Sequence, residues 1–206
     1  PPLRHIVGEL HPAVFQRDEH GERRGNDLRE QLVAARPNRG HELLAQLEQH
    51  FDVTVVTQNV DDLHERAGSS HVIHLHGELM KVCSSANPDN PACIRTLPPD
   101  HLRVAHGELA ADGSLLRPWI VWFGEAVPNL VPAADITAQA DIFVIVGSSL
   151  QVYPAAGLIR YTRPGIPIYL IDPQPVQVPG HYHIEVISQK ASEGMTTLVS
   201  RLLPSV

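Results

Sequence analysis

The stretch VTVVTQNVDDLHERAGSSHVIHLHGEL at residues 53–79 organises the rest of the chain. It opens with VTVVT at 53–57, a β-branched run that is typical of a parallel strand buried on both faces. The polar residues QNVDD at 58–62 follow at once, where that strand would end. Ligands of open parallel sheets bind beyond the carboxyl ends of the strands, so amide and acid side chains at this point predict a binding site.

A second apolar run brings further polar residues to the same part of the chain. VIHL at 72–75 leads directly into HGE at 76–78. Taken singly, each polar residue has an ordinary structural explanation: Asn59 and Asp61 could form the N-cap and first turn of a helix, and His76 could be a loop histidine. The combined spacing is therefore more informative than any one residue.

That spacing, T-Q-N-x-D-x-L-H-x-x-A-G followed by I-H-x-H-G-E-L, resembles the central signature of the sirtuins, the NAD-dependent protein-lysine deacylases. Further matches are Arg117-Pro118, VWFGE at 121–125 and VGSSLQVYPAAG at 146–157. The resemblance runs from about Pro37 to the C-terminus, is loose at 83–115, and is nearest to the bacterial, desuccinylase-type branch. It implies NAD as cofactor and acyl-lysine proteins or peptides as substrates, with the acyl group passed to ADP-ribose and nicotinamide released.

The resemblance implies different roles for the residues around the cofactor. An amide side chain can donate to and accept from ribose hydroxyls, and a carboxylate can accept the carboxamide N–H. The residues that would surround nicotinamide and its ribose are Gln58, Asn59, Val60 and Asp61. His76 would be the general base that deprotonates a ribose hydroxyl, because the pKa of histidine lies near the operating pH. With Asn59 and Asp61 it forms the expected catalytic group.

Two neighbours of these residues are expected to have structural roles instead. Asp62 is expected to cap the helix that follows, and His74, two residues before His76 along a strand, is expected to face the other way. The helix itself should span 61–67 and stop at Gly68, a favourable C′ residue.

The resemblance also identifies residues further along the chain. The cofactor's phosphate and adenosine would meet a small-residue turn, an acid that ends a strand and a backbone position before the last helix; these residues are Gly147, Ser148, Ser149, Asp172 and Ala191. The acyl-lysine tunnel and the peptide-binding edge would be formed by Val121, Phe123, Gly124 and Glu125. From composition alone, Val121 and Phe123 could equally belong to the core.

Apolar runs of strand length alternate with helical segments, which predicts an α/β fold with a Rossmann-like, doubly wound parallel sheet. This domain is expected over 1–81 and 116–206, with a helical segment at about 18–40. The segment 82–115 is too long for an ordinary loop, so we expect a small inserted module there. The predicted elements include strands at 120–123, 142–146 and 168–171, and helices at 39–50, 129–139, 155–161 and 192–203, the last capped by Ser192.

In many sirtuins such an insert holds zinc through two pairs of cysteines. This chain has only Cys83 and Cys93, and Ser84 occupies the family's first ligand position. His101 and His106 could in principle complete a set of four, but their spacing is not that of a closed structural site. We therefore expect the module to fold without metal.

Composition bears on the environment and the partners. The 206 residues carry a formal net charge of −7, which argues against non-specific nucleic-acid binding and favours basic partners such as lysine-rich protein tails. No run approaches the ~20 apolar residues of a transmembrane helix, and no signal-peptide pattern opens the chain. Two cysteines do not make a disulfide framework, so a cytoplasmic setting is expected. The sequence does not indicate an oligomeric state.

The expected acyl-group contacts depart from the desuccinylase-type branch. That branch carries a tyrosine and, three residues later, an arginine that hold an acidic acyl group. Aligned through Pro37-Asn38, these positions are Gly25 and Leu28. Without a guanidinium, bidentate recognition of a succinyl carboxylate is lost, so we expect removal of acetyl or another uncharged acyl group. An alignment shifted by one residue would instead place Arg29 at the arginine position.

A second departure concerns the phosphate loop. Sirtuins follow their first strand with a G-A-G-I-S-type loop and a downstream F-R, which cover the NAD phosphates. Here RHIV at 4–7, similar to that strand, continues into GELHP at 8–12 without the loop, and HPAVFQRD at 11–18 resembles the segment just after it. The loop is either deleted from the protein, which would leave a damaged NAD site, or missing only from the printed sequence.

Three functions follow from these observations. The leading one is NAD-dependent protein-lysine deacylation. The second is a sirtuin-like NAD-binding module that is catalytically impaired by loss of the phosphate loop. The third is an NAD-consuming hydrolase or ADP-ribosyltransferase that uses the same pocket. Retention of Gln58, Asn59, Asp61 and His76 argues against the second function, and His76 argues against the third, because glycohydrolysis needs no base for acyl transfer.

Overall fold

The computed structural model describes residues 4–9, 21–122, 124–147, 155–174 and 182–203. In it the predicted strand at 53–57 is one of several strands that are interspersed with helices along the chain. In chain order the strands are β1 (Arg4–Glu9), β2 (Asp52–Thr57), β3 (Val72–His74), β4 (Gly77–Ser84), β5 (Arg95–Thr96), β6 (Leu116–Ile120), β7 (Ile142–Val146), β8 (Ile168–Ile171) and β9 (Ile184–Ile187). The α-helices are α1 (Gly21–Ala34), α2 (Arg39–Leu47), α3 (Leu63–Ala67), α4 (Leu130–Thr137) and α5 (Ala191–Leu202). Two segments are short 3-10 helices, Pro91–Cys93 and Ala155–Tyr161. Within these residues no helix combines the length and the apolar character needed to cross a bilayer.

Six strands form one parallel sheet in the order β3-β2-β1-β7-β8-β9. Strand β1 pairs with β2 on one side and with β7 on the other, so the chain reverses its direction of winding between them. The prediction of a Rossmann-like, doubly wound sheet is confirmed. Ligands of such sheets bind in the crevice at this switch point, beyond the carboxyl ends of the strands. The segments that follow β2 and β7 therefore flank the expected site.

The core has two layers because the central strands are apolar on both faces. All five residues of β7 are buried. Phe143 and Ile145 pack in a cluster that includes α4, whereas Val144 faces the opposite cluster, which includes α2 and α5. Helices of suitable amphipathicity therefore cover both sides of the sheet, as a parallel sheet requires.

A second sheet has three antiparallel strands in the order β5-β4-β6 and spans residues 77–120. It encloses the segment 82–115, for which the sequence predicts an inserted module. Strand β4 begins one residue after His76, and β6 ends one residue before Val121. Two strands of the small sheet therefore lead directly to predicted site residues. The division into a Rossmann-like domain and a module at 82–115 remains our proposal.

Some local predictions are wrong. The sequence predicts a strand at 120–123, but the strand lies at 116–120 and belongs to the small sheet. Its buried residues alternate with half-buried ones, and Pro118 is one of the buried residues. The helix predicted at 155–161 is present with those bounds and is a 3-10 helix. Ser192 does not cap α5, which begins at Ala191. Strand β9 was not predicted, and only its last residue is buried.

Gly77, the first residue of β4, lies tightly against the backbone of β6. Its φ is +76°, and a Cβ atom there would lie 2.2 Å from the Trp119 carbonyl oxygen. We expect Gly77→Ala to lower the free energy of unfolding by at least about 3 kcal/mol, as left-handed strain adds to a backbone clash. Gly113→Ala is the matched control, since Gly113 has a φ of +82° and nothing within 4 Å of the added atom. Urea denaturation of both variants tests this, and equal losses of about 1 kcal/mol would contradict it.

Candidate active site

The turn after β2 is held along its whole length by the segment that contains β3 and the start of β4. Four successive carbonyl oxygens of the turn accept hydrogen bonds from that segment. The pairs are Thr57 with the Leu75 N–H at 2.8 Å, Gln58 with His76 Nδ1 at 3.1 Å, Asn59 with His74 Nδ1 at 3.2 Å, and Val60 with the Leu79 N–H at 2.7 Å. The structure therefore brings the predicted residues 58–61 and His76 together on one rigid unit.

The protonation state of His76 follows from its hydrogen bond. A carbonyl oxygen can only accept, so Nδ1 carries the proton and Nε2 keeps its lone pair in the neutral ring. Burial lowers the pKa of His76 and outweighs the opposite effect of the Gln58 carbonyl. Within the described residues Nε2 forms no hydrogen bond. The geometry thus leaves one ring nitrogen of His76 able to accept a proton near neutral pH.

The Gln58 side chain is the clearest indication of a polar ligand. It is 3% exposed, and neither its amide oxygen nor its amide nitrogen has a hydrogen-bond partner in the described part of the chain. A buried amide without partners costs about 1–3 kcal/mol, so native proteins rarely keep one. Hydroxyl groups of a sugar both donate and accept, and they would satisfy both atoms.

The two acids of the turn make different contacts. A carboxylate oxygen of Asp61 accepts the Leu63 N–H at 3.1 Å, at the first residue of α3. Asp62 makes no capping hydrogen bond and lies 3.4 Å from Arg66 instead. The prediction that Asp62 caps this helix is therefore wrong. Asp61 is half-buried and keeps a second carboxylate oxygen without a hydrogen bond among the described residues.

Asn59 and Val60 are the middle residues of the turn after β2. The Asn59 N–H donates to the Thr57 hydroxyl at 3.0 Å, and both residues are half-buried. Val60 packs against a small cluster that includes Leu79 and Trp122. Val60 therefore anchors the turn, while the Asn59 side chain lies beside Gln58 and Asp61 in sequence.

The predicted adenosine and phosphate residues lie at or near the ends of the next strands. Gly147 follows β7 with a φ of 63° and donates its N–H to the Ile171 carbonyl at 2.8 Å. Asp172 follows β8, is 8% exposed and accepts the Gln174 N–H at 2.7 Å. Ala191 is the first residue of α5 rather than a residue before it. Ser148 and Ser149 lie outside the described residues.

The predicted substrate edge follows β6. The Val121 N–H donates to the His76 carbonyl at 2.9 Å, so this edge is bonded directly to the histidine. Gly124 is exposed with a φ of 86°, and Phe123 lies outside the described residues. Glu125 pairs with Arg117 at 3.3 Å and also accepts the Trp122 N–H at 3.0 Å. This ion pair closes the edge against β6, a role for Arg117 that sequence reasoning missed.

A cavity of about 260 Å³ lies behind this edge, between β3, β6 and the loop before α4. The Arg117–Glu125 pair and Trp119 form part of its wall. No sequence signal indicated the cavity, since its lining residues come from four separate segments of the chain.

The Arg29 side chain is buried against the small sheet. It is 1% exposed, donates from Nε to the Leu79 carbonyl at 2.8 Å and from Nη1 to the Asn26 side chain at 2.9 Å. Its Nη2 is buried without a hydrogen-bond partner among the described residues, so the alternative alignment that places Arg29 among the acyl contacts stays a prediction. Leu28 packs against the apolar cluster that includes Trp122. Asn26 and Arg29 instead fasten α1 to the small sheet, because Asn26 also pairs with both backbone groups of Val104.

The predicted metal-free module is closed by a hydrogen-bond network around Ser84. The fully buried Ser84 hydroxyl donates to Asp112 at 2.5 Å, lies 2.8 Å from the Ser114 hydroxyl, and accepts the N–H groups of Ala86 and Asn87. Hydrogen bonds from Ser84 and then Ser114 lower the pKa of Asp112 to about 2. The described residues contain no group of three or more His, Cys, Asp or Glu that could hold a metal ion.

We expect a metal chelator to leave the Tm of the protein unchanged and Ser84→Ala to lower the free energy of unfolding by about 1–2 kcal/mol. The reason is that the Ser84 hydroxyl joins the ends of the module, whereas burial raises the pKa of Cys83 to about 11 and keeps it a thiol rather than a metal-binding thiolate. Ser85→Ala is the matched control at the next position. Stoichiometric zinc in protein purified without added metal, or a Tm that falls with chelator, would contradict this.

Comparisons with known proteins agree on one family. The Sir2 family model matches residues 13–154. A protein of Bacteroides thetaiotaomicron, an NAD-dependent protein deacylase, is 57% identical over 180 residues that cover 87% of this chain and 77% of that protein. Two solved structures cover 98% of this chain. One is a mutant Sir2 homologue with ADP-ribose (TM-score 0.79, 28% identity, 92% of that chain), and the other is Sir2Tm with a propionylated peptide (TM-score 0.78, 27% identity, 94% of that chain).

Proposed function

Because the chain belongs to the Sir2 family, we propose that His76 is the general base of an NAD-dependent protein-lysine deacylase. The enzyme moves an acyl group from a lysine side chain to ADP-ribose and releases nicotinamide. One observation carries the assignment of the site: the buried Gln58 amide without partners and the open Nε2 of His76 belong to one hydrogen-bonded unit.

The residues of the turn fit the cofactor. When bound, NAD supplies the ribose carbon from which nicotinamide leaves and the hydroxyl that receives the acyl group. The Gln58 amide can bind ribose hydroxyls, and the open carboxylate oxygen of Asp61 can accept the carboxamide N–H. Asn59 lies between them. Gly147 and Asp172 stand at the ends of β7 and β8, where the rest of a dinucleotide binds in sheets of this order.

His76 acts through Nε2. It takes the proton of the hydroxyl that attacks the acyl carbon, and the Gln58 carbonyl continues to accept from Nδ1 when the ring is charged. The ring is therefore oriented in both protonation states. Val121, bonded to the backbone of His76, would line the acyl-lysine tunnel next to the base, with Phe123, Gly124 and Glu125 forming the edge for the substrate peptide.

This role of His76 predicts the acid side of the pH profile. Its folded-state pKa is lowered, so the ring stays neutral until the pH falls below the ordinary value of about 6.5. We expect kcat/KM for deacylation to be constant just below neutral pH and to decline only at lower pH. Steady-state rates between pH 5 and 8 measure this, with far-UV circular dichroism as the control for folding. An acid-side decline that already begins above pH 7 as the pH falls would contradict the assignment.

A second candidate is an NAD-binding module with impaired catalysis. The observation that favours it is the sequence at 7–11, which has no glycine-rich phosphate loop after β1. Strand β1 continues through Gly8 to Glu9, and residues 10–20 lie outside the described part of the chain. Calorimetric titration with NAD distinguishes the two candidates. A site without phosphate contacts should have a Kd for NAD well above the millimolar range, whereas an active enzyme should bind NAD more tightly than that.

The cellular setting is also a proposal. Both cysteines are buried free thiols rather than partners in a disulfide, which suits a reducing cytoplasm. Membership of the desuccinylase-type branch stays a prediction from sequence.

A further inference from the structure

His74 connects three elements around the site without being one of the predicted site residues. Its Nδ1 lies 3.2 Å from the Asn59 carbonyl oxygen, and its Nε2 lies 2.7 Å from a carboxylate oxygen of Glu65 in α3. The side chain is 5% exposed. Asn129, just before α4, donates to the His74 carbonyl at 2.7 Å. The ring is thus fixed between α3 and the turn after β2.

Both nitrogens of this ring face hydrogen-bond acceptors. A carbonyl oxygen cannot donate, and neither can an ionised carboxylate, so each nitrogen must carry a proton. His74 is therefore an imidazolium in this arrangement. His76 differs, because only its Nδ1 faces an acceptor among the described residues.

We propose that His74 is a positioning residue, which as an imidazolium held by Glu65 fixes the Asn59 carbonyl and thereby the turn that carries Gln58, Asn59 and Asp61. The inference rests on the proposed function, since it assigns His74 the task of orienting the side chains that face the cofactor.

The surrounding charges support the imidazolium. Burial would lower the pKa of His74, but the hydrogen bond and charge of Glu65 outweigh it, with a contribution from Glu78, and the pKa is raised. Burial would raise the pKa of Glu65, but His74, with a contribution from His64, outweighs it and the pKa is lowered. The arrangement is therefore complete below the ordinary histidine pKa of about 6.5 and is lost as the pH rises through the folded-state value.

Loss of the second proton has a specific consequence. The remaining proton of a neutral His74 is drawn to Nε2 by the Glu65 carboxylate, because a charge-assisted hydrogen bond is the stronger one. The lone pair on Nδ1 then faces the Asn59 carbonyl, and the turn loses one of its four restraints. Deacylation should consequently decline on the alkaline side through His74, as it declines on the acid side through His76.

Two conservative variants test the proposal. In Glu65→Gln the amide can donate to Nε2, which leaves the single proton of a neutral His74 on Nδ1 and keeps the bond to Asn59. We expect this variant to lose the alkaline decline in kcat/KM while its rate at the optimum stays within a few-fold of wild type. Glu78→Gln is the matched control, since Glu78 acts on His74 only at a distance. It should keep the decline. His74→Phe should lower kcat/KM about 10–100-fold at every pH, the size expected when a reacting group is misplaced.

Nitrogen-15 NMR of histidine-labelled protein provides a readout that does not depend on turnover. We expect two protonated ring nitrogens for His74 at neutral pH in the wild type and one in Glu65→Gln. A singly protonated His74 in the wild type, or an alkaline decline unchanged in Glu65→Gln, would overturn the proposal. A wild-type protein without deacylation would refute the proposed function instead, and the NMR signals would still decide the state of His74.

Discussion

Replacing His76 with alanine should lower kcat/KM for deacylation by at least about 100-fold, the size expected for loss of a general base. The fold and NAD binding should remain nearly intact, because the ring is only half-buried and the other three carbonyls of the turn keep their donors. Initial rates with an acetyl-lysine peptide measure the effect, and calorimetric titration with NAD checks that the cofactor still binds.

His71→Ala is the matched control for this variant. His71 is an exposed histidine just before β3, and among the described residues its ring forms a hydrogen bond only with the Ser70 hydroxyl. Its removal should leave the rate within a few-fold of wild type. Deacylation by His76→Ala at a rate close to that of the control would remove His76 from the mechanism.

The enzyme should also strongly prefer an acetyl group to a succinyl group. We expect kcat/KM for a succinyl-lysine peptide to be at least about 100-fold below that for the matching acetyl-lysine peptide. The contacts of an acidic acyl group would need a guanidinium. Leu28, at the position of the family's arginine, is apolar, and the neighbouring Arg29 donates from Nε to Leu79 and from Nη1 to Asn26. Two hydrogen bonds to a charged group contribute about 1.5–3 kcal/mol each, so their absence accounts for a difference of this size.

Two substitutions at one position test this explanation. Leu28→Arg should raise kcat/KM for the succinyl peptide and so bring the two kcat/KM values closer together. Leu28→Met keeps an uncharged side chain of similar volume and should leave the two values as far apart as in the wild type. Competition between the two peptides, followed by mass spectrometry, measures the ratio directly. Equal rates with both peptides in the wild type would show that another group of the protein binds the carboxylate.

The sequence predicts the central sheet well because its strands are buried on both faces. Continuous apolar runs such as 53–57 and 142–146 have no other stable place in a protein of this size. Strand β9 was missed for the opposite reason, since an edge strand with one buried residue lacks that signal. The strand at 116–120 was displaced in the prediction because Pro118 interrupts its pattern while being buried in the small sheet.

The site was predicted as a set of residues but not as a set of contacts. A motif identifies Gln58 and His76, yet no pattern indicates that the backbone carbonyl of Gln58 is what orients the His76 ring. The contact joins residues 18 positions apart, on different segments. For the same reason His74 was expected to have only a structural role in a strand. Asp62 was predicted to cap the helix, whereas Asp61 accepts the hydrogen bond at its first residue.

The small module was the least predictable part. Ser84 was notable in the sequence only as a residue at a ligand position of the family. Its role as the centre of a network depends on Asp112 and Ser114, which approach it only once β4 and β6 have paired. Short-range sequence patterns cannot report such a contact.

The most direct test of the account is a product balance for the wild-type protein with NAD and an acetyl-lysine peptide. We predict that nicotinamide, deacetylated peptide and O-acetyl-ADP-ribose form in equal amounts, and that nicotinamide release requires the acetylated peptide. Release of nicotinamide with free ADP-ribose in the absence of peptide, or no consumption of NAD at all, would contradict the assignment of acyl transfer to this site.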